Sequence, residues 1–205
     1  MLPIEDIFAP LRSWLTEHTT ALIVAPPGAG KTTGVPLALL REPWLEGQSI
    51  LLLEPRRLAA RAAAVRMAET LGESVGRTVG FRVRGESRVS AATRIEVVTE
   101  GIFSRKILDD PALEGVGCVI FDEFHERSLD ADLGLAFARD SQGILREDLR
   151  LLVMSATLDS ERVLTLLEGP DGQAAGRFES LGRSFPVTTH YLGRSPTLTM
   201  EQDIA

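Results

Sequence analysis

The chain has 205 residues, 44% of them hydrophobic, a formal net charge of −7 and one cysteine, Cys118. That length supports one sizeable core, or one domain with the start of another, while a lone cysteine excludes an intrachain disulfide and makes a reducing cytoplasm the expected compartment. The acidic balance excludes nucleic-acid binding through bulk positive charge, no apolar run nears the roughly 20 residues that span a bilayer, and the first residues lack the order of a secretory signal.

Residues 4–18 carry Ile4, Ile7, Phe8, Leu11, Trp14 and Leu15 on one helical face, which predicts a helix packed on the following domain with no chemistry of its own. A strand at 21–24 and a helix at 32–40 then bracket Ala25-Pro26-Pro27-Gly28-Ala29-Gly30-Lys31-Thr32-Thr33. Strand, glycine loop and helix in that order predict a phosphate-binding loop: Gly28 and Gly30 let backbone N–H groups turn inward on a phosphate, and the helix N-terminus adds its dipole. Lys31 would reach the β- and γ-phosphates and Thr32 would place its hydroxyl on Mg²⁺. The pattern G-x-x-x-x-G-K-[ST] is broken at its first position by Ala25, and a Gly/Pro-rich turn with a solvated lysine fits the same residues taken alone.

A breaker at 42–47 leads to a buried strand at 49–54, stopped by Pro55, and an alanine-rich helix at 57–70 with Gly72 as terminator. Residues 79–84 alternate as a strand or an extended loop; 94–99 reads as a strand, 100–108 as a helix, and 117–122 as a buried strand ending on an acid. A helix at 130–139, a strand at 149–154, a helix capped by Asp159 and running to 167, a loop at 168–176 and a strand at 185–192 complete the reading; from 193 no pattern emerges. Strands alternate with helices throughout, so the fold class is α/β, a parallel sheet covered on both faces.

In such sheets ligands lie at the carboxyl ends of the strands. There this chain puts the glycine loop, Arg56-Arg57, Asp122-Glu123 and Ser155-Ala156-Thr157. Asp122 can hold Mg²⁺ beside a phosphate loop, and Glu123 can orient and deprotonate an attacking water. An isolated acidic pair would serve equally as a helix cap or solvated turn, and Ser155-Ala156-Thr157 as a capping cluster. Nine arginines lie between Glu54 and Arg94, whereas lysine occurs only at Lys31 and Lys106; the bare pattern is a solvated arginine surface.

Together these residues carry a resemblance. Asp122-Glu123-Phe124-His125 resembles the D-E-x-H box of superfamily 2 helicases of the DEAH/RHA group, most of all the bacterial HrpB group. Residues 25–33 resemble motif I, 55–60 motif Ia, Thr99-Glu100-Gly101 motif Ib, and Ser155-Ala156-Thr157 motif III, all in the family's order. The resemblance implies a three-layer, RecA-like P-loop NTPase domain over residues 19–182, with 1–18 as an N-terminal helical segment and 183–205 as the linker and start of a second RecA-like domain. It implies ATP with Mg²⁺ as the ligands. Gly28, Ala29, Gly30, Lys31, Thr32 and Thr33 would cradle the phosphates; Thr32, Asp122 and Glu123 would serve the metal; Glu123 would be the catalytic base, with Lys31, Asp122 and His125 beside it. Arg66 would stack on the adenine, while Arg56, Arg57, Arg84 and Thr99 would contact single-stranded RNA. Ser155 and Thr157 would couple nucleotide state to the second domain.

Two departures stand out. Phe124 replaces the alanine of D-E-A-H, and nothing after Thr157 resembles the arginine-rich motif VI, so the second RecA-like domain and the C-terminal domains would be partners absent from these residues. The expected function is the ATP-binding half of a 3′-to-5′ RNA helicase. A nucleotide-gated RNA-binding or adaptor module with negligible hydrolysis is the alternative, and a DNA translocase of another P-loop family stands behind it.

Overall fold

The computed structural model describes residues 2–156, 161–168, 174–182 and 188. Among them an eight-stranded sheet runs in the order β4-β3-β5-β2-β6-β7-β1-β8. Its strands are β1 (Thr20–Val24), β2 (Ser49–Leu53), β3 (Val79–Val83), β4 (Glu86–Arg88), β5 (Ile95–Val98), β6 (Val116–Phe121), β7 (Arg150–Ser155) and β8 (Gly176–Glu179). All neighbours are parallel except β3 and β4. The helices are α1 (Phe8–Glu17), entered through a 3-10 turn at Pro3–Ile7, α2 (Lys31–Leu39), α3 (Arg57–Thr70), α4 (Glu100–Asp109), α5 (Leu129–Ile144) and α6 (Glu161–Leu167).

Alternation within the strands sorts these helices into two layers. Ile23, Ile50, Leu52, Ile120 and Met154 face Leu11 and Leu15 of α1, Val35 and Leu39 of α2, and Ala60, Ala64 and Met67 of α3. Their sequence neighbours Leu22, Leu51, Leu53, Val119, Phe121 and Val153 face Phe103 and Ile107 of α4, Leu135 and Ala138 of α5, and Val163 and Leu167 of α6. Each of the Leu, Ile, Val, Met and Phe side chains among these, fully buried, contributes about 1.5–3 kcal/mol. This is the parallel sheet covered on both faces that the strand–helix alternation predicts, and the three-layer, RecA-like P-loop architecture that the resemblance implies.

The differences are at the edges. Residues 79–83 are a strand, and the Arg84-Gly85 turn returns the chain as β4, where Gly80 lies so close to the Arg88 carbonyl that a Cβ would strike it. β8 forms just after the predicted loop, parallel to β1, with Phe178 edge-on to Trp14 and Gly176 so near Trp14 that a Cβ would come within 2.6 Å of Nε1. The helix predicted at 130–139 extends to Ile144, because its last turns bury polar side chains: Ser141 Oγ donates to Pro111 O (2.5 Å) and Gln142 Nε2 to Leu149 O (2.6 Å). The strand predicted at 185–192 and the cap at Asp159 lie outside the described residues.

Candidate active site

Parallel strands all present their carboxyl ends on one side. Along the order β3-β5-β2-β6-β7-β1 those ends carry Arg84, Thr99, Glu54 with Arg56, Asp122 with Glu123, Ser155 and the glycine loop. At about 4.8 Å per strand this row is about 24 Å long. Sequence neighbours and residues a hundred positions apart thereby share one surface.

The loop leaves β1 at Ala25, whose N–H still donates to Ser155 O at 3.0 Å. Ala25 continues the strand and has no positive φ, which is why a side chain is tolerated where the motif has glycine. Gly28 (φ +79°) and Gly30 (φ +93°) do take the left-handed conformation and turn the loop into the α2 N-terminus. Lys31, the first residue of α2, is 3% exposed, and its Nζ donates to Glu123 Oε1 at 2.8 Å. Among the described residues this is its one ion pair. The contact joins the loop to the end of β6 across two strand spacings.

Asp122 follows β6 and is 4% exposed. Its Oδ1 accepts the Glu123 N–H at 2.8 Å, while Oδ2 has no hydrogen-bond partner among the described residues. Burial raises its pKa to about 6, with the Thr32 hydroxyl and the Lys31 ammonium pulling down and the Glu123 charge pushing up. Glu123 itself sits at φ +48°, ψ +34°, a strained conformation for a non-glycine residue that costs of order 1–3 kcal/mol. The kink swings its carboxylate back to Lys31. His125 Nδ1 accepts the Ala156 N–H at 3.2 Å, so the neutral ring carries its proton on Nε2, which lies 3.4 Å from Glu123 Oε2. His125 thus connects Glu123 to the end of β7. Phe124 turns the other way, buried edge-on against Phe121 in the opposite core, and leaves the acidic pair untouched.

A cavity of about 740 Å³ opens over the loop, lined by Gly28, Gly30, Lys31, Thr32, Thr33, Arg66 and Glu123. Another wall has little signal in the sequence. Leu2, Glu5, Phe8 and Arg12 from the N-terminal segment line the same cavity, Ile4 N–H donates to Ala29 O (3.2 Å), and the Leu2 side chain lies where a Gly30 Cβ would stand, 2.8 Å away. Of these wall residues only Phe8 lies on the apolar helical face legible in the sequence, and such a face says that a segment packs but not on what. Glu54 was also missed. It is 3% exposed at the end of β2, and burial followed by the Asp122 charge raises its pKa to about 7. The signal existed, since Glu54 ends a buried apolar run just as Asp122 does.

Arg56, Arg57 and Arg84 are exposed, and Thr99 is half-buried at the head of α4. Arg56 pairs with Glu126 at 2.7 Å, whereas Arg57, Arg66 and Arg84 make no ion pair among the described residues. Part of the arginine cluster is structural: Arg82 pairs with Glu96 (2.8 Å), and Arg94 donates to the Gln48 and Leu45 carbonyls. Ser155 is buried at the end of β7, and Thr157 lies outside the described residues.

These residues suit a nucleoside triphosphate with a divalent cation. The loop offers N–H groups, one lysine and a hydroxyl to phosphates, and Asp122 keeps a buried oxygen without a partner. No three His, Cys, Asp or Glu side chains among the described residues converge to hold a metal alone, which fits a cation bound jointly by one or two protein groups and phosphate oxygens. No helix among them is long and apolar enough to cross a membrane.

The DEAD/DEAH box helicase family matches residues 9–166. The chain is 52% identical over 191 residues to the ATP-dependent RNA helicase HrpB of Escherichia coli, covering 93% of this chain and 23% of that protein. It is 34% identical over 190 residues to an ATP-dependent RNA helicase HrpA homolog of Haemophilus influenzae, of which it covers 14%. A crystal structure of the Escherichia coli DEAH/RHA helicase HrpB superimposes with a TM-score of 0.86 at 48% identity, over 100% of this chain and 25% of that one. The chain therefore spans about a quarter of the length of the HrpB proteins it matches.

Proposed function

We propose a function from one premise: the chain belongs to the DEAD/DEAH box helicase family. It is the ATP-binding half of an ATP-dependent RNA helicase that works 3′ to 5′, in the cytoplasm, coupling hydrolysis to movement along single-stranded RNA. In this proposal residues 19–182 are the ATP-binding domain, and 183–205 lead into a second RecA-like domain.

The observation that carries the reading is the 2.8 Å contact between Lys31 and Glu123, residues 92 apart in sequence. It brings the phosphate-binding cation and the general base within one bond of each other. Lys31 shares its charge with Glu123 here; γ-phosphate oxygens would draw it away and leave Glu123 Oε1 to a water. Glu123 then takes the proton as that water bonds to the γ-phosphorus, and the bond to the β–γ bridging oxygen breaks to give ADP and phosphate. His125 holds the other Glu123 oxygen in place. Mg²⁺, when bound with the nucleotide through Thr32, Asp122 and Glu123, would neutralise phosphate charge.

Gly28, Ala29, Gly30 and Thr33 complete the phosphate cradle, and Arg66 covers the adenine. Arg56, Arg57, Thr99 and Arg84 offer a single strand a row of phosphate contacts at the far end of the strand termini. Ser155 and Thr157 pass the nucleotide state to the second domain. The test is steady-state ATP hydrolysis by the full-length protein with single-stranded RNA, with single-stranded DNA and with neither. Strong stimulation by RNA supports the reading. Turnover indifferent to nucleic acid points to another P-loop ATPase, and nucleotide binding without turnover to a nucleotide-gated adaptor.

A further inference from the structure

β2 ends in a carboxylate that the chemistry above leaves unused. Leu53 and Phe121 are paired in register, so the next residues, Glu54 and Asp122, stand side by side at the ends of β2 and β6. Leu53 and Phe121 belong to the core beneath α4 and α5. Alternation therefore turns Glu54 and Asp122 to the opposite face, where the loop and α2 lie. The Glu54 backbone N–H is taken by Val98 O at 2.9 Å, and the Arg56 backbone N–H beside its carboxylate opposes part of the rise in its pKa. Its Oε1 is buried with no partner among the described residues. Glu54 lines a recess of about 360 Å³ together with Thr32, Thr33, Arg66 and Glu123.

A buried carboxylate oxygen left without a hydrogen-bond partner is costly and calls for an occupant. The Arg56 guanidinium is engaged with Glu126. Asp122 and Glu123 act on the Glu54 charge, the one buried ammonium nearby, Lys31, is paired with Glu123, and the remaining cation on the recess wall, Arg66, is exposed, so incoming phosphates add negative charge to a cluster already rich in carboxylates. A hydrated divalent cation supplies both what the charge requires and a donor for the free oxygen.

We propose that Glu54 is an additional carboxylate of the divalent-cation site, its Oε1 accepting a hydrogen bond from a water on the cation that accompanies the nucleotide. The inference rests on the nucleotide-binding reading above. Mg²⁺ keeps several of its waters, and groups that fix such waters set metal affinity without touching the metal. Glu54 is a positioning residue in this scheme.

The experiment is a titration of MgCl₂ into full-length protein with a fluorescent ADP, and a parallel ADP titration in EDTA, for wild type, Glu54→Gln and Glu54→Ala. The Mg²⁺ concentration for half-maximal binding should rise about tenfold in Glu54→Ala and less in Glu54→Gln, which keeps an acceptor oxygen. Affinity in EDTA should hold or tighten, because a negative charge near the phosphates has gone. Glu54→Gln keeps the side chain's shape and removes a buried charge, so it folds. An unmoved Mg²⁺ midpoint in both variants overturns the inference alone. An equal loss in EDTA and in Mg²⁺ also overturns it, since Glu54 would then merely shape the loop. Wild-type protein that binds no ADP in Mg²⁺ overturns the nucleotide reading and this inference with it.

Discussion

The two ends of the sheet bury charge in opposite ways. At the amino ends of the strands the buried and half-buried guanidinium groups have partners: Arg150 donates to Leu15 O (3.0 Å) and Asp148 O (2.9 Å) and lies 4.1 Å over the Trp44 ring, and Arg146 donates to the Ala112, Leu113 and Val116 carbonyls and pairs with Asp148. At the carboxyl ends Asp122 Oδ2 and Glu54 Oε1 have no partner among the described residues, and Glu123 is held in a strained turn. Both ends hold buried polar groups, but among the described residues the unpartnered one at the amino ends is the neutral Trp44 Nε1, whereas at the carboxyl ends it is carboxylate oxygens. Partnered charge at the amino ends holds the fold together, and the unpartnered carboxylate oxygens at the carboxyl ends lie where the proposed nucleotide and cation would bind.

The contrast is broken most directly by Lys31→Ala, which should weaken Mg²⁺·ADP binding by about a hundredfold or more because it strips the cation from a buried acidic site. Calorimetry would show this, and unchanged affinity would count decisively against the site. Glu123→Gln in the full-length protein should still bind ATP yet hydrolyse it at least about a hundredfold more slowly, read from single-turnover rates. A normal rate removes Glu123 from the chemistry. At the other end, Arg150→Ala should cost about 1.5–3 kcal/mol in urea unfolding while the folded fraction keeps its ADP affinity, since that arginine serves the Leu15 and Asp148 carbonyls and the Trp44 ring at the end of the sheet away from the loop. Lost ADP affinity with intact stability would invert the comparison.

The smallest effect is on pH. Asp122 (to about 6) and Glu54 (to about 7) bind protons more tightly folded than unfolded. Their stabilising contribution is complete below their ordinary carboxylate range and is lost as pH rises through about 6 and 7. Ligand-free protein should therefore lose stability between about pH 4 and 7, with a shallower slope in Glu54→Gln, as thermal melts across that range would report. A slope unchanged by the substitution would remove Glu54 from this account.

Much of the carboxyl edge was legible because its signals are local. Gly28, Gly30 and Lys31 follow a strand directly, and Asp122-Glu123 ends an unbroken apolar run, so backbone geometry and chemistry share the same few residues. The central strands were legible because burial on both faces leaves continuous apolar sequence. β4 and β8 were not, since an edge strand needs little apolar surface, and Phe178 alone does not announce one. The wall formed by Leu2, Glu5, Phe8 and Arg12 was equally hidden, because helical periodicity records that a face is covered without saying by what. Glu54 was hidden differently: a single acid before Pro55 looks like the end of a strand until Asp122 is seen beside it.

The segment around Pro3 has one more consequence. Ser180 Oγ donates to Pro3 O at 3.0 Å, Ser180 N–H donates to Val24 O at 2.9 Å, and Gly182 abuts Pro26, so chain from both sides of the domain grips the phosphate loop. Pro3 and Ser180 are 177 positions apart. During synthesis the loop leaves the ribosome early, but its second support is made only after β8 has emerged. A nascent chain halted before that strand would carry every residue of the phosphate cradle and yet lack the clasp that closes around it.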